Sequence, residues 1–430
     1  MAQTVTRKGF LKTAGAATAA MAAAGFGASA AFASEAADVA WDETCDVLVI
    51  GAGFAGMAAA AVEYLEGLGV EFTKLNFHGG HSVPRTNTTV NATGRDITSA
   101  QAAYLEDTLG VPVRTNTKLE HLIEDENGRI VGAQVLENYD IKDEASGDPK
   151  TIKALKAVVL ASGGFSQDVQ MRTIHEPRLT AEYSSTNHEG ATGEALREAL
   201  KHQAMDVHRD WIQLGPWTSP DEVGFGFCPQ FCERLVGHSL MVDPATGKRF
   251  IKETGDRKER ADKMLEIGHY TVILGDEPAV QRQVAPRILE GGLENGVILK
   301  FDTLEELADH YEIAKDEFLA EVERWNGFVE AGEDPDFGAL IQEGAEPCAT
   351  APFYAVRLWP KVHHTMGGLV TDANCRVINQ DFEPIAGLYA AGEVAGGTHG
   401  AVRLGSCAIT DCVVFGRIAG QQAAAEQPWE

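Results

Sequence analysis

The chain has 430 residues, 44% of them hydrophobic, with 45 glycines and a formal net charge of -27. That length supports a large core, read here as two domains, and the acidic surplus argues against nucleic acid or an anionic membrane surface as partner. A small anionic substrate stays admissible, because screening lets a local group of Arg and His outweigh distant carboxylates.

The stretch TRKGFLK (residues 6–12) precedes an apolar run rich in Ala and Gly that ends in ASAAFAS, an A-x-A pattern with cleavage expected after Ala33. Residues 1–33 therefore read as an export signal of the twin-arginine kind, with Lys8 where such a signal carries its second arginine. The expected location is the periplasm or the outer face of the cell envelope. A run dominated by Ala and Gly is poor material for an uncleaved anchor.

Next, CDVLVI (45–50) stops at glycine and predicts a buried parallel strand. Gly51, Gly53 and Gly56 then have the G-x-G-x-x-G spacing of a dinucleotide-binding turn. Glycine there permits the tight turn, the approach of a pyrophosphate and the packing of helix on strand, with the helix N-terminus facing the phosphates. A helix is expected from Gly53 to Leu65. A second buried strand bearing an acid for a ribose should follow, and Glu71 lies at a suitable distance. However, VEFTKLNF (70–77) alternates like an exposed strand, so Glu71 is rejected as that ligand and the adenosine side reads as incomplete.

LEHLIEDENGRIVGAQVLEN (119–138) predicts a hairpin turning at Asn127 and Gly128, and ALKAVVLASGGF (154–165) a buried strand entering a glycine turn. From Met205 to Pro347 aromatics, Pro and charge increase, with a polar helical stretch around 304–329. IAGLYAAGEVAGG (385–397) returns to strand and turn, and CAITDCVVFGRIAGQQAAA (407–425) is an apolar-faced helix. No internal repeat is present. The expected organisation is a nucleotide-binding domain, residues 42–204 and 348–430, interrupted by an inserted domain, 205–347. The 7 cysteines have irregular spacing, so no disulfide framework is read; Cys228 and Cys232 either pair or pack. No CxxCH attaches a c-type haem, no CxxC suggests zinc or a cluster, and no metal is expected.

Three stretches carry a resemblance: GHSLMVDPATGKRFIKETGDRKERA (237–261), KVHHTMGGL (361–369) and GLYAAGEVAGGTHGAVRLGSCAITD (387–411). Together they are similar to the flavoprotein subunits of the fumarate reductase and succinate dehydrogenase family, especially the soluble fumarate reductases and urocanate reductase. The resemblance implies an α/β fold in which a Rossmann-like FAD-binding domain is interrupted by an α+β substrate-capping domain. It implies FAD as cofactor and reduction of the C=C bond of an α,β-unsaturated carboxylate. By the same resemblance Glu393 binds the flavin ribityl hydroxyls and His364 lies beside the flavin. His363 holds the substrate carboxylate and Arg403 clamps it. Ala408 and Ile409 begin a helix whose N–H groups face the isoalloxazine, Glu194 stands near the flavin, and Arg257 protonates the substrate. The family's proton relay uses a Glu and a second Arg, for which Glu233 and Arg234 are the nearest candidates. Without haem, electrons would come from a separate cytochrome or flavoprotein.

The chemistry calls for these residue types. Charge that builds up on the carboxylate needs cationic donors of the oxyanion-hole kind, and an arginine, ordinarily a very weak acid, needs a relay to resupply its proton. Each assignment has a plainer competitor: strand-end histidines, a solvated DRKER face, Glu393 as a turn cap, Arg403 paired with Asp411. Two departures from the family pattern matter. Gly215 stands where fumarate reductases carry a histidine for a second carboxylate, with Trp217 nearby as a flat wall. This disfavours fumarate and favours a monocarboxylate such as an acrylate, cinnamate or urocanate. Roughly a hundred residues of the pattern are missing after Ala61, compared with the ~30-residue spacing of a complete βαβ unit. The rival readings are a ketosteroid-type dehydrogenase and a non-catalytic family member with a defective FAD site.

Overall fold

The strand Asp148–Leu160 organises the first sheet in the computed structural model, which describes residues 39–51, 62–76, 78, 80–81, 83–91 and 93–429. The expected export signal, Gly53, Gly56 and Ala61 lie outside those residues. The last four residues of this strand, Ala157 to Leu160, are apolar and buried in the core. There it lies between two parallel partners, Glu43–Ile50 (Ile50 opposite Leu160) and Pro384–Ala390 (Ala390 opposite Leu160). Its first half pairs antiparallel with Ile130–Glu137, which continues the hairpin from Lys118–Glu124 through Gly128 at φ 80°. One face is covered by the helix Glu194–Lys201 and the other by the long helix Cys407–Ala425.

The three parallel strands end together, which makes one rim of their carboxyl ends. The Ala161 N–H donates to Ile50 O at 2.7 Å and the Ala391 N–H to Leu160 O at 3.0 Å. Gly51 leaves that rim at φ 111°, where a Cβ would lie 2.3 Å from Ala161 O, so only glycine fits. The expectation of a fully buried first strand is corrected. Glu43–Ile50 has half-exposed positions along its length, with Val49 43% exposed, because among the described residues it has a partner on one side only. The helix expected from Gly53 is described as Val62–Gly67. Phe72–Asn76 joins Thr86–Thr89 in a separate antiparallel pair, and Glu71 is exposed ahead of it, away from the parallel sheet.

A second, 5-stranded antiparallel sheet holds Lys248–Arg249, Leu240–Asp243, Thr271–Asp276, Phe353–Leu358 and Leu299–Phe301. Helices Cys228–Leu235, Glu277–Gln283 and Pro286–Glu294 cover one face around Phe231 and Ile273. Leu304–His310 and Lys315–Ala331 cover the other around Phe318 and Trp325. The polar stretch read as one helix is thus two, broken where Glu312 takes φ 53°. Phe353–Leu358, assigned by the sequence reading to the returning nucleotide-binding part, belongs instead to this second sheet. It pairs with Thr271–Asp276 over six residues, because both are continuous buried runs. Cys228 and Cys232 are free thiols, Sγ to Sγ 3.7 Å, on one face of their helix; they pack and do not pair.

Two short ladders close the base of the insertion: Ile212–Gly215 with Lys361–Thr365, and Asp206–Val207 with Gly368–Leu369. They bring the chain's entry to the insertion beside its exit.

The second sheet is clamped by a buried ion cluster. Arg249 Nη2 donates to Glu253 Oε2 at 2.6 Å and to Asp334 Oδ2 at 2.9 Å, while its guanidinium lies 4.5 Å from the Trp325 ring centroid. Removing one partner strands a buried charge, which typically costs about 3–5 kcal/mol. Asp334→Ala is therefore expected to lower the unfolding free energy by about 3 kcal/mol, seen as a shifted denaturant midpoint, whereas surface Glu333→Ala leaves the midpoint in place.

Candidate active site

The ladder at the base of the insertion sets the two adjacent histidines. Side chains alternate along the strand Lys361–Thr365, so His363 and His364 face opposite ways, with a register shift between Val362 and His364. His363 Nδ1 lies 2.7 Å from Thr186 Oγ1, and its ring stacks on Phe225 with centroids 5.9 Å apart. His364 Nδ1 lies 3.3 Å from Glu393 Oε2. Burial pushes both imidazoles below their ordinary range. For His363 the charges of Arg403 and Arg257 push the same way, holding it well down, so it is neutral at neutral pH.

Glu393 stands one turn past the rim, in Gly392–Val394. Its Oε1 accepts from the Thr365 N–H at 2.8 Å and from Thr365 Oγ1 at 3.0 Å. Burial raises this carboxyl's pKa, but His364 and the Thr365 donors outweigh that and hold it below the ordinary carboxylate range. The SGGF turn passes so close that a Cβ on Gly164 would lie 2.1 Å from Thr365 Oγ1 and 2.4 Å from Glu393 Oε1.

Arg403 is buried ahead of the helix Cys407–Ala425. Its Nη1 donates to Leu404 O at 3.1 Å, and its Nε has no hydrogen-bond partner among the described residues. Burial first, then the charge of Arg257, pushes this guanidinium down to about 9. Arg257 opens the helix Arg257–Ile267, whose N-cap Asp256 accepts from the Glu259 N–H. Its Nη2 donates to Glu233 Oε1 at 2.7 Å, and its Nη1 has no partner among the described residues. Burial raises the Glu233 pKa, but Arg257, His78 and Arg260 reverse this and hold it at about 2.

The structure therefore brings Arg257, His363, His364, Glu393 and Arg403 into one electrostatically coupled group. Gly51 sits on the rim, while Gly53 and Gly56 fall outside the described residues. Ala408 lies in the first turn of the C-terminal helix, whose N-cap Ser406 makes no side-chain cap. Ile409 is spoken for differently: its N–H donates to Ser406 O at 3.1 Å and its side chain packs towards Leu65, Val70 and Ile97. Glu194 is set apart, because it begins the helix Glu194–Lys201 and its carboxylate lies 3.9 Å from Lys118 Nζ at a partly exposed position.

Three plainer readings also resolve. Arg257 is not on a solvated face, since its side chain is 11% exposed. Arg403 does not pair with Asp411, which instead faces His399 at 3.7 Å; burial raises Asp411 to about 6 and lowers His399 to about 4. Trp217 presents no free wall, being 2% exposed with the Arg260 guanidinium 4.3 Å above its ring. Gly215 backs onto His363, 3.4 Å from an added Cβ to His363 Cβ.

The sequence reading missed Arg260, Thr186 and His78. Arg260 was within reach, since three residues after Arg257 is the same helix face. Its Nη1 and Nη2 lack partners among the described residues, and burial lowers it to about 10. Thr186 lies 177 positions from His363, beyond any local signal. Arg234, the expected second relay arginine, is adjacent to Glu233 on one helix, and neighbouring helical residues do not face each other.

Strand ends and glycine turns meeting under an inserted sheet define a nucleotide-binding oxidoreductase fold with a cap. Residues 60–409 match the FAD binding domain family, and the chain belongs to it. It is 39% identical over 351 residues to the acrylate reductase flavoprotein subunit of Shewanella woodyi, covering 80% of this chain and 68% of that protein. It is 33% identical over 356 residues to urocanate reductase of Eggerthella lenta, covering 81% of this chain and 56% of that protein. The open conformation of a flavocytochrome c3 fumarate reductase matches with a TM-score of 0.68 at 27% identity, over 89% of this chain and 78% of the other. The chain thus spans about two thirds of the first relative and just over half of the second.

FAD is the cofactor of this family, and the flavin end of the site fits it. Gly164 lets its turn close against Glu393, His364 is held beside that carboxylate, and the helix at Cys407 opens without a side-chain cap. The adenosine end fits less well, since among the described residues no strand beside Glu43–Ile50 carries an acid for the ribose. Gly164→Ala is expected to break the Thr365–Glu393–His364 contacts. The purified variant should lose its bound flavin, read as visible absorption per protein, while Gly420→Ala, exposed in the C-terminal helix with open space at its Cβ, keeps it.

Proposed function

We propose that this chain is an FAD-dependent reductase of the C=C bond of an α,β-unsaturated monocarboxylate. The observation that carries the reading is the buried, electron-poor group of Arg257 and Arg403 beside His363, with guanidinium N–H donors left unpaired among the described residues. Unpaired buried donors are costly unless a ligand takes them, and an organic anion does. Bound FAD supplies the hydride for one alkene carbon.

The chain's own residues do the rest. Arg403 Nε and neutral His363 hold the substrate carboxylate and stabilise the charge that grows there. Thr186 fixes the His363 ring through Nδ1, leaving Nε2 for the substrate. Arg257 gives a proton to the second alkene carbon from Nη1, while Glu233 holds Nη2. Gly215 supplies no side chain for a second carboxylate, which favours monocarboxylates over fumarate. The acrylate and urocanate reductases are named for such acids, which supports the reading. A neutral steroid would leave both guanidinium groups unmatched. A separate cytochrome or flavoprotein as electron donor, and export beyond the inner membrane with cleavage after Ala33, complete the proposal.

The test is oxidation of reduced viologen by the flavin-loaded protein with acrylate, cinnamate, urocanate and fumarate. Turnover of the monocarboxylates should exceed that of fumarate. Arg257→Ala should lower kcat by about 10²–10⁴, and Arg403→Ala should lower kcat/KM by about 10²–10³, both with flavin retained. Unchanged kinetics in the Arg403 variant would sink the reading.

A further inference from the structure

We propose that His78 is the relay that resupplies the proton of this reduction, passing it through Glu233 to Arg257; the inference rests on the reductase reading above. Glu233 is engaged from two sides. Arg257 Nη2 donates to Oε1 at 2.7 Å, and His78 Nδ1 stands 3.6 Å from Oε2, an oxygen that is buried and otherwise without a hydrogen bond among the described residues. A separation of that size closes to a hydrogen bond with a small side-chain movement, as catalytic contacts do when substrate binds.

The backbone holds His78 there. The His81 N–H donates to His78 O at 3.1 Å, and His81 Nε2 lies 2.8 Å from Gly405 O. Gly405 must be glycine for this fit, since a Cβ would lie 2.7 Å from His78 Cβ. The turn is thus clasped onto Leu404 and Gly405, immediately after Arg403. The charged groups around His78 are Glu233, Arg257, Arg234 and His81, with Arg260 also facing Glu233 and Asp256 near Gly80. Burial lowers the His78 imidazole below its ordinary range, and a neutral imidazole can take a proton at one nitrogen and give one from the other, whereas a guanidinium has no acceptor. His78 also reaches solvent better than its partners, with its side chain 18% exposed against 12% for Glu233 and 11% for Arg257. His81 of the same turn lines a cavity of about 460 Å³ with Lys252 and Thr254.

The transfers balance. Arg257 loses a proton from nitrogen as the substrate C–H bond forms, with the electron pair supplied by the hydride from FAD and ultimately by its electron donor. His78 takes a proton from water at Nε2 and gives its Nδ1 proton to Glu233 Oε2. The Glu233 carboxylic acid turns and returns that proton to the Arg257 guanidine. One proton passes from water to product, every relay group recovers its starting charge, and His78 regains its Nδ1–H tautomer by proton exchange with solvent.

His78→Gln in the flavin-loaded protein tests this, using the same viologen assay with acrylate. The expected result is a 10- to 100-fold fall in kcat with KM and flavin content held, a larger solvent deuterium isotope effect on kcat, and partial rescue by added imidazole. His78→Asn serves as the second variant should the glutamine disturb the turn. Wild-type kcat and isotope effect in either flavin-retaining variant overturn the relay, as does a fall in kcat without isotope effect or rescue. A wild-type protein that reduces no unsaturated acid instead overturns the reductase reading, and the relay with it.

Discussion

The arrangement hangs on one electrostatic constraint: cationic side chains are crowded into a space that water barely enters, with too few carboxylates to match them. Arg257, Arg260 and Arg403 converge there, and Glu233 and Glu393 are the acids that face them. Like charges a few ångströms apart repel by about 4 kcal/mol at an intermediate effective dielectric. The depressed guanidinium of Arg403 reports that repulsion together with its desolvation. On the proposed reading an anion entering the group relieves both at once, so binding and catalysis would draw on the same imbalance. A low local dielectric strengthens the contact of such a group with a carboxylate.

Such a group survives only on a frame that resists collapse. Arg257 is tied to a helix start capped by Asp256, and Glu233 to a helix packed through Phe231 and Leu235 into the second core. His363 and His364 ride the ladder at the base of the insertion, and Glu393 leaves a parallel strand at the rim of the first sheet. Each layer therefore supplies a cation and an acid, Arg257 with Glu233 from the insertion and Arg403 with Glu393 from the first sheet's side, and the group is the seam between them. A strand that sends one histidine towards Thr186 and the next towards Glu393 connects the substrate side with the cofactor side across one peptide unit.

Much of this was legible in the sequence where local chemistry is periodic. The hairpin at Gly128, the buried run ending in SGGF and the apolar-faced C-terminal helix follow from alternation, turn residues and helical spacing. The family motifs pointed to His363, His364, Glu393, Arg403 and Arg257, and the fold gathers all five. What escaped was set by partners distant in the chain. Phe353–Leu358 reads like any buried strand, and only its pairing with Thr271–Asp276 assigns it to the second sheet. Glu194 matched a motif, yet Lys118 on the neighbouring hairpin draws its carboxylate away. Trp217 suggested an open wall, but Arg260 covers it, a contact that no spacing rule between separate elements foretells.

The groups at the proposed substrate end and those at the nucleotide end belong to different parts of the chain. Every group that faces the proposed carboxylate comes from residue 186 or beyond, and the flavin-side groups His364 and Glu393 are held by Thr365. None of these contacts uses the strand that should lie beside Glu43–Ile50. Among the described residues no acid stands on a strand beside Glu43–Ile50, whose edge is partly exposed. Binding energy from remote groups helps to position a cofactor. Among the described residues of the early chain, His78 and His81 stand beside this group, with His81 Nε2 2.8 Å from Gly405 O. The proposed relay and the proposed anion clamp thus share one framework, since Gly405 follows Arg403 by two residues and packs against His78.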